Sequence, residues 1–162
     1  MTEMRVIAEP GVPQVVIIRE FNAPRKLLFR AYTEPELVAR WLGPADLELV
    51  VNQLDPQHGG RWRWTHYDAD GKGYAFHGLY HGTPSPDRIV QTYEFDQQPG
   101  TVYLNLITFD EADGVTTLTQ NTVFFAVEDR DLYVDGGMER GIRASMQHLD
   151  DLVTQLAKEG HQ

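Results

Sequence analysis

Histidine is the first candidate for chemistry in this sequence, which contains six histidines and no cysteine. The lack of cysteine excludes disulfides, thiolate nucleophiles and cysteine-ligated zinc or iron–sulfur sites. His77 and His81 share one face of a predicted strand, with Leu79 between them. Their Cα atoms are about 13 Å apart in an extended strand, whereas zinc bonds are only about 2 Å long. The sequence therefore predicts neither a metal site nor a cofactor.

Two other histidines are candidates for orienting a ligand or moving a proton. His66 shares the inward face of a predicted strand with Trp62 and Trp64, and His148 follows Ser145 by three residues on a predicted helix. An imidazole can change its charge near neutral pH and so can serve either purpose. The alternative is that both are ordinary histidines, hydrogen-bonded or partly exposed. His66 and His148 are thus the candidate catalytic residues.

Other catalytic patterns are missing from the sequence. It contains no G-x-S-x-G elbow and no G-x-G-x-x-G or P-loop phosphate cradle. Asp150 and Asp151 are adjacent on a predicted helix and so diverge, while Asp110, Glu111 and Asp113 belong to a predicted turn. None of these carboxylates forms a paired acid and base. Binding therefore has more support than catalysis.

The aromatic residues favour a binding pocket. Small-molecule sites usually have apolar and aromatic walls with a few polar groups, and Tyr80, Tyr93 and Tyr133 would supply hydroxyls here. The alternative is packing in an ordinary core. The aromatic candidates for a pocket are Trp41, Trp62, Trp64, Phe76, Tyr80, Tyr93 and Tyr133.

Polar residues also fall at inward positions of the last predicted strand. Gln120 and Thr122 share the parity of Leu118, and buried polar side chains need hydrogen-bond partners. The partner would be the neighbouring side chain, water or a ligand. Both residues therefore join the predicted ligand-binding set.

A strip of small residues marks the predicted C-terminal helix. Gly137, Gly141 and Ser145 are four residues apart, so they lie on one side of the helix. The strip indicates close packing against a sheet or a kink at Gly136 and Gly137, and equally room for a ligand; these interpretations are compatible. All three small residues are included in the predicted ligand-binding set.

One long helix is predicted over residues 129–158, and it would position this strip. Apolar or small residues recur there every three or four positions, which is typical of a helix with one buried face. A helix of this length spans about 45 Å, enough to cross a sheet. The stripe consists of Met138, Ile142, Ser145, Leu149, Leu152 and Leu156.

The rest of the chain predicts a curved antiparallel sheet of about seven strands. A first strand at 14–21 is followed by two short helices, and residues 1–12 are predicted to form a loose lead-in. If the hairpin that includes residues 61–81 is paired so that its aromatic faces coincide, Trp62 lies opposite Gly78, an aromatic ring over a bare glycine. Such a sheet would curl around the long helix. We expect one α+β domain over residues 1–162, with a core from about 14 to 158.

Several strings resemble a known family. REFNAPRKLLFRAYTEPELVARWLGP at 19–44 resembles the opening of the Hsp90-ATPase-activator-homologue-like (AHSA1-type) domains, members of the START-like, or SRPBCC, helix-grip superfamily. The other matching segments are DP and GGRW within 55–62, FHGLY at 76–80, RIVQT at 88–92 and GMERG at 137–141, the last continuing through Ser145, Leu149 and Leu152. The resemblance extends over about residues 14–156.

This resemblance implies a curved sheet that grips a long helix, with a cavity between them. Relatives include lipid and sterol carriers, plant hormone receptors and polyketide cyclases. The Hsp90 activator itself has an additional N-terminal domain, whereas this chain begins at its first strand, so we do not expect an Hsp90-type chaperone as partner. The family often has an aromatic residue where this chain has Ile142, which would leave the cavity wall less bulky.

The net charge and the hydropathy of the chain limit the classes of partner that we expect it to bind. The 162 residues carry a net charge of −10 with a pI near 4.9, which argues against nucleic acid and anionic membrane surfaces. No apolar run approaches membrane-spanning length, and the N-terminus lacks a signal-peptide core. We therefore expect a cytoplasmic protein that binds no nucleic acid and no membrane; a homodimer is compatible with the sequence.

Together these patterns predict that a small hydrophobic or aromatic molecule binds between the sheet and the C-terminal helix. One alternative is a cyclase- or dehydratase-type enzyme that uses the same cavity with His66 or His148 as the acid–base group. A second alternative is a chaperone-associated protein-interaction module that acts through the acidic outer surface.

Overall fold

The fold is that of a computed structural model, which describes residues 3–43 and 47–160. These residues form one eight-stranded antiparallel sheet and four helices. The strands are β1 (Arg5–Ile7), β2 (Gln14–Phe21), β3 (Glu48–Leu54), β4 (Arg61–Tyr67), β5 (Gly73–Leu79), β6 (Arg88–Phe95), β7 (Val102–Ala112) and β8 (Val115–Phe124). The helices are α1 (Arg25–Thr33), α2 (Pro35–Trp41), α3 (Val127–Asp135) and α4 (Met138–Glu159).

The sheet follows the order β1-β2-β8-β7-β6-β5-β4-β3, so β2 pairs with β8 across the span of the chain. Burial alternates along β2, where Val15, Ile17 and Phe21 are buried and their neighbours are more exposed. This alternation gives the sheet one core face. Helix α4 contributes the buried residues Ser145, Met146, Leu149, Leu152, Val153 and Leu156. The predicted α+β helix-grip fold is confirmed.

The predicted pairing of Trp62 with Gly78 is also confirmed. The indole Nε1 of Trp62 donates a 3.1 Å hydrogen bond to the carbonyl oxygen of Thr92 on the next strand. A Cβ atom on Gly78 would lie 1.9 Å from that same oxygen. Only glycine therefore fits where β5 and β6 approach beneath the indole ring.

The expectation of a single helix over 129–158 was wrong. The segment forms two helices, α3 and α4, which are separated at Gly136 and Gly137. Gly137 has a φ of +86°, in the left-handed region that favours glycine, and it lies just before the first turn of α4. The glycine pair therefore breaks the helix completely, instead of only kinking it.

The prediction that residues 1–12 form only a loose lead-in was also wrong, because they include a strand. Residues 5–7 form β1, which pairs with β2 through the partners Arg5 and Ile18 and through Ile7 and Val16. A three-residue edge strand is too short to show a clear alternation in sequence, which explains why seven strands were expected and eight are found among the described residues. No helix within 3–43 or 47–160 is long and apolar enough to cross a membrane.

Candidate ligand-binding cavity

A cavity of about 250 Å³ lies between the core face of the sheet and helix α4. Strands β4 to β8 and all four helices contribute to its lining. Ten of the predicted ligand-binding residues line it: Trp41, Trp64, His66, Phe76, Tyr80, Tyr93, Gln120, Tyr133, Gly141 and Ser145. The fold therefore brings together residues that are up to 104 positions apart in the sequence, the separation between Trp41 and Ser145. Tyr32 of α1 also lines the cavity.

Four candidates lie outside this lining. The ring of Trp62 packs behind the wall, with its centroid 4.1 Å from that of Trp64 and 4.5 Å from that of Tyr93. Gly137 is exposed at the start of α4, and His148 is half-buried further along the same helix. Thr122 is fully buried beside the cavity, where it supports a lining residue as described below.

Aromatic side chains form the wall along β4 to β7. The rings of Tyr93 and Tyr103 are stacked, with centroids 5.2 Å apart and an angle of 17° between their planes. The hydroxyl of Tyr93 accepts a 3.1 Å hydrogen bond from Nε1 of Trp64. Burial raises the pKa of Tyr93, Tyr103 and Tyr133. These phenols therefore keep their protons and remain hydrogen-bond donors at neutral pH.

A row of polar side chains crosses the floor of the cavity, and we call Gln91, Asn105, Gln120 and Thr122 the polar belt. Gln91 is the cross-strand partner of Asn105, and Asn105 is the partner of Thr122. The Thr122 hydroxyl donates a 2.8 Å hydrogen bond to Oδ1 of Asn105, and Nε2 of Gln120 donates a longer one of 3.4 Å to the Thr122 hydroxyl. Thr122, which lies outside the lining, thus holds the side chain of the lining residue Asn105 in place.

Three buried polar atoms at the cavity have no hydrogen-bond partner among the described residues. They are the hydroxyl oxygen of Tyr32, Nδ1 of His66 and Nε2 of Gln91, and all three residues line the cavity. Native proteins pair nearly all buried polar groups. Three residues that line one apolar space therefore each carry a polar atom that could bond to water or to a polar group of another molecule.

His66 lies at the end of the cavity near α2. Its ring packs edge-on against Phe76, with centroids 5.6 Å apart, and burial lowers its pKa, so the neutral imidazole is favoured. A Cβ atom on Gly43 would lie 2.7 Å from Cε1 of His66. The main-chain N–H of Gly43 donates a 2.7 Å hydrogen bond to Oγ of Ser145. Gly43 thus connects the end of α2 to both cavity residues.

His66 and Phe76 also line a second, more open groove, together with Leu47, Asp68, Tyr74 and Phe95. His66 therefore lines both the interior cavity and this more open groove. This position suits a group that exchanges a proton between a bound molecule and solvent. His148 has no such position, because it lies outside the cavity lining.

The sequence matches the model of one known protein family. The family model described as "Activator of Hsp90 ATPase homolog 1-like protein" matches residues 22–154, most of the sequence. The chain belongs to this family. No curated protein sequence shows significant similarity to this AHSA1-like protein.

Solved structures share its fold. A Rhodobacter sphaeroides protein superposes with a TM-score of 0.86 at 22% identity, covering 94% of this chain and 99% of its own. An Arthrobacter aurescens protein gives 0.85 at 18% identity, with 93% and 91% coverage. Protein Ms6760 from Mycobacterium smegmatis gives 0.83 at 24% identity, with 94% and 97% coverage. At these identities the similarity establishes the fold of the AHSA1-like protein.

Twelve of the 22 described lining residues of this AHSA1-like protein were not in the predicted set, among them the polar residues Tyr32, Gln91 and Asn105. Two of these polar residues had a usable signal. Gln91 shares the strand parity of buried Ile89, and Asn105 shares that of buried Ile107. The alternation rule therefore places both side chains inward, although their polarity argues for the surface.

The part of the lining that the structure describes is also uncharged. Among the 22 described residues that line the cavity, none is Arg, Lys, Asp or Glu. Within 3–43 and 47–160, no group of three or more histidine, aspartate or glutamate side chains is arranged to hold a metal ion. The arrangement can bury an apolar body, offer hydrogen bonds at a few fixed points, and place one neutral imidazole beside the bound molecule.

Proposed function

We propose that this AHSA1-like protein binds a small apolar or aromatic molecule in the cavity between the sheet and α4. The observation that carries the proposal is the combination of an apolar space of about 250 Å³ with partnerless polar atoms on its wall. An apolar cavity of about 150 Å³ holds a benzene molecule in another protein. The space here suits a molecule larger than one aromatic ring.

Burial of apolar surface would drive binding. An aromatic ligand that buries roughly 200 Å² of apolar surface gains about 5 kcal/mol at about 25 cal/mol per Å². The loss of translational and rotational freedom offsets part of this gain. The hydrogen-bonding groups on the wall would then decide which apolar molecules bind well.

The test uses N-phenyl-1-naphthylamine, an uncharged probe whose emission rises in apolar surroundings. Gly141 lines the cavity, and a Cβ atom there would meet no heavy atom within 4 Å. We expect Gly141→Phe to fill the space and weaken probe binding at least tenfold. Gln147→Phe, at an exposed position of the same helix, is the matched control and should bind as the unmodified protein does.

Ser145→Phe would block the same space but is a less specific test. Ser145 is buried and accepts the hydrogen bond from the Gly43 N–H, so the larger side chain would also disturb the end of α2. If Gly141→Phe keeps its circular dichroism spectrum and its full affinity for the probe, the ligand binds elsewhere and the proposal fails.

A second candidate function is catalysis in the same cavity, and one observation favours it. Burial lowers the pKa of His66 and so favours its neutral form, and His66 lines the cavity with an Nδ1 atom that has no partner among the described residues. Such a group can act as a general base toward a bound molecule. Native mass spectrometry of the protein isolated from cells would identify a bound compound. Turnover of that compound that disappears in His66→Ala, while binding persists, would establish an enzyme.

A further inference from the structure

We infer that the ligand is an uncharged aromatic molecule whose hydrogen-bond acceptor, of the carbonyl type, receives the side-chain amide of Gln91. This inference rests on the proposed function, because it specifies the class of molecule that the same cavity takes. Three features support it: the hydrogen bonds of the polar belt, the lack of charged residues in the described lining, and the position of the stacked tyrosines.

The polar belt leaves an unused donor at Gln91. Along the belt, Gln120 donates to Thr122 and Thr122 donates to Oδ1 of Asn105. The carbonyl oxygen of Asn105 is thus already engaged by Thr122, while Nε2 of Gln91 has no acceptor among the described residues. Gln91 is only 5% exposed. A buried N–H group without a partner is costly, so an acceptor on the ligand would complete the belt.

The described part of the lining disfavours a charged ligand. A carboxylate in the cavity would leave water without meeting Arg or Lys, and an ammonium group would not meet Asp or Glu, since none of these residues is in the described lining. An ion that leaves water without a partner of opposite charge is strongly disfavoured. Burial keeps the lining phenols protonated, so they do not supply a negative charge for a cation.

The stacked tyrosines indicate where the ring of the ligand lies. Gln91 and Tyr93 are two residues apart on the same face of β6, about 7 Å along the strand. Tyr93 stacks on Tyr103 of the neighbouring strand. A planar ring that packs on these tyrosines brings an acceptor attached directly to the ring within reach of the Gln91 amide. Aromatic ketones, and other rings that carry a carbonyl group, have this geometry.

The experiment compares three naphthalene derivatives as competitors of N-phenyl-1-naphthylamine. They are 2-ethylnaphthalene, which has no acceptor, 2-acetonaphthone, which has one, and 2-naphthoate, which is an anion at pH 7.5. We expect 2-acetonaphthone to bind at least tenfold more tightly than either of the others. Because the ketone is the more water-soluble of the two neutral compounds, hydrophobicity alone predicts the opposite order for that pair.

Variants at Gln91 assign the preference to its amide. Gln91→Leu and the more flexible Gln91→Met remove the donor, and both should bind the two neutral compounds equally, with the affinity for 2-ethylnaphthalene retained. Using both variants guards against a local packing defect in one. Gln53→Leu, at an exposed position of β3, should keep the preference of the unmodified protein.

The outcomes separate the inference from the proposed function. Equal binding of the two neutral compounds by the unmodified protein would overturn the Gln91 assignment and leave the binding function intact. Tighter binding of 2-naphthoate would overturn the requirement for an uncharged ligand. Failure of the probe and of all three compounds to bind would overturn the proposed function itself, and the inference with it.

Discussion

The guanidinium group of Arg19 donates a 2.6 Å hydrogen bond to the main-chain carbonyl of Met146, and it thereby ties strand β2 to helix α4. The same group lies 3.3 Å from Oδ2 of Asp150 and 5.0 Å from the centre of the Phe21 ring. Met146 lines the cavity. The contact therefore helps to hold α4 at its distance from the sheet, and so helps to keep the cavity open.

Arg19→Ala should destabilise the protein substantially. Arg19 is 5% exposed, and its removal leaves a void beside Asp150 and takes a donor from Met146. We expect the free energy of unfolding to fall by roughly 2–4 kcal/mol, measured by urea denaturation. Arg19→Met, which keeps most of the volume, should lose clearly less. Equal losses in the two variants would show that the charge, and not the packing, accounts for the effect.

Gly78→Ala tests the close approach of β5 and β6. The new methyl group would lie 1.9 Å from the Thr92 carbonyl oxygen and 2.8 Å from Nε1 of Trp62. A main-chain oxygen cannot move aside as the end of a side chain can, so we expect a loss of about 3 kcal/mol or more in the free energy of unfolding. Thermal unfolding would measure it. A stability within 1 kcal/mol of the unmodified protein would contradict this packing.

Gly141→Ala should change the free energy of unfolding in the opposite direction from Gly78→Ala. Gly141 lies in the first turns of α4, and a methyl group there meets nothing within 4 Å. Alanine favours the helix over glycine by about 1 kcal/mol, so the free energy of unfolding should rise by up to that amount. Urea denaturation would check this, and a loss of stability would show that the cavity wall at this point is closed.

Strand alternation made the cavity partly predictable from the sequence. Because side chains alternate between faces of a strand, the parity of Trp64 and Phe76 placed both on the inside, and the structure finds both in the lining. With the aromatic faces of the hairpin aligned, the same rule gives the pairing of Trp62 with Gly78, which the structure contains. These features are local, since each depends on a hairpin whose strands are neighbours in the sequence.

The features that the sequence did not predict depend on partners far away in the chain, or on polar side chains that face inward although polar residues usually lie at the surface. Arg19 shares the strand parity of the buried Ile17 and Phe21. Its partner Met146 is 127 residues away, so no short-range pattern reveals what its guanidinium group binds. Gln91 and Asn105 are inward by parity, but their polarity hides them until the belt is assembled by the sheet. The break at Gly137 depends on a single left-handed backbone angle, which helix periodicity does not report.

The pH dependence of stability offers a direct check on His66. Burial lowers its pKa in the folded protein below the ordinary 6.5. The unfolded chain therefore binds a proton that the folded protein takes up only at lower pH, so the free energy of unfolding should decline as the pH falls below 6.5. The decline should continue until the folded-state pKa is passed, because both states then carry the proton.

His66→Gln should remove the decline in the free energy of unfolding that His66 causes as the pH falls. His81→Gln, at an exposed position, should keep that decline. Asp68 in the adjacent groove does not contribute over this range, because a hydrogen bond from the Lys72 main-chain N–H lowers its pKa from 3.8. Urea denaturation between about pH 5 and pH 8 covers the window in which histidine titrates. The affinity for N-phenyl-1-naphthylamine should fall in parallel, because a protonated His66 would place a charge in the cavity wall. If the unmodified protein and His66→Gln lose stability equally as the pH falls, His66 is not held neutral by burial.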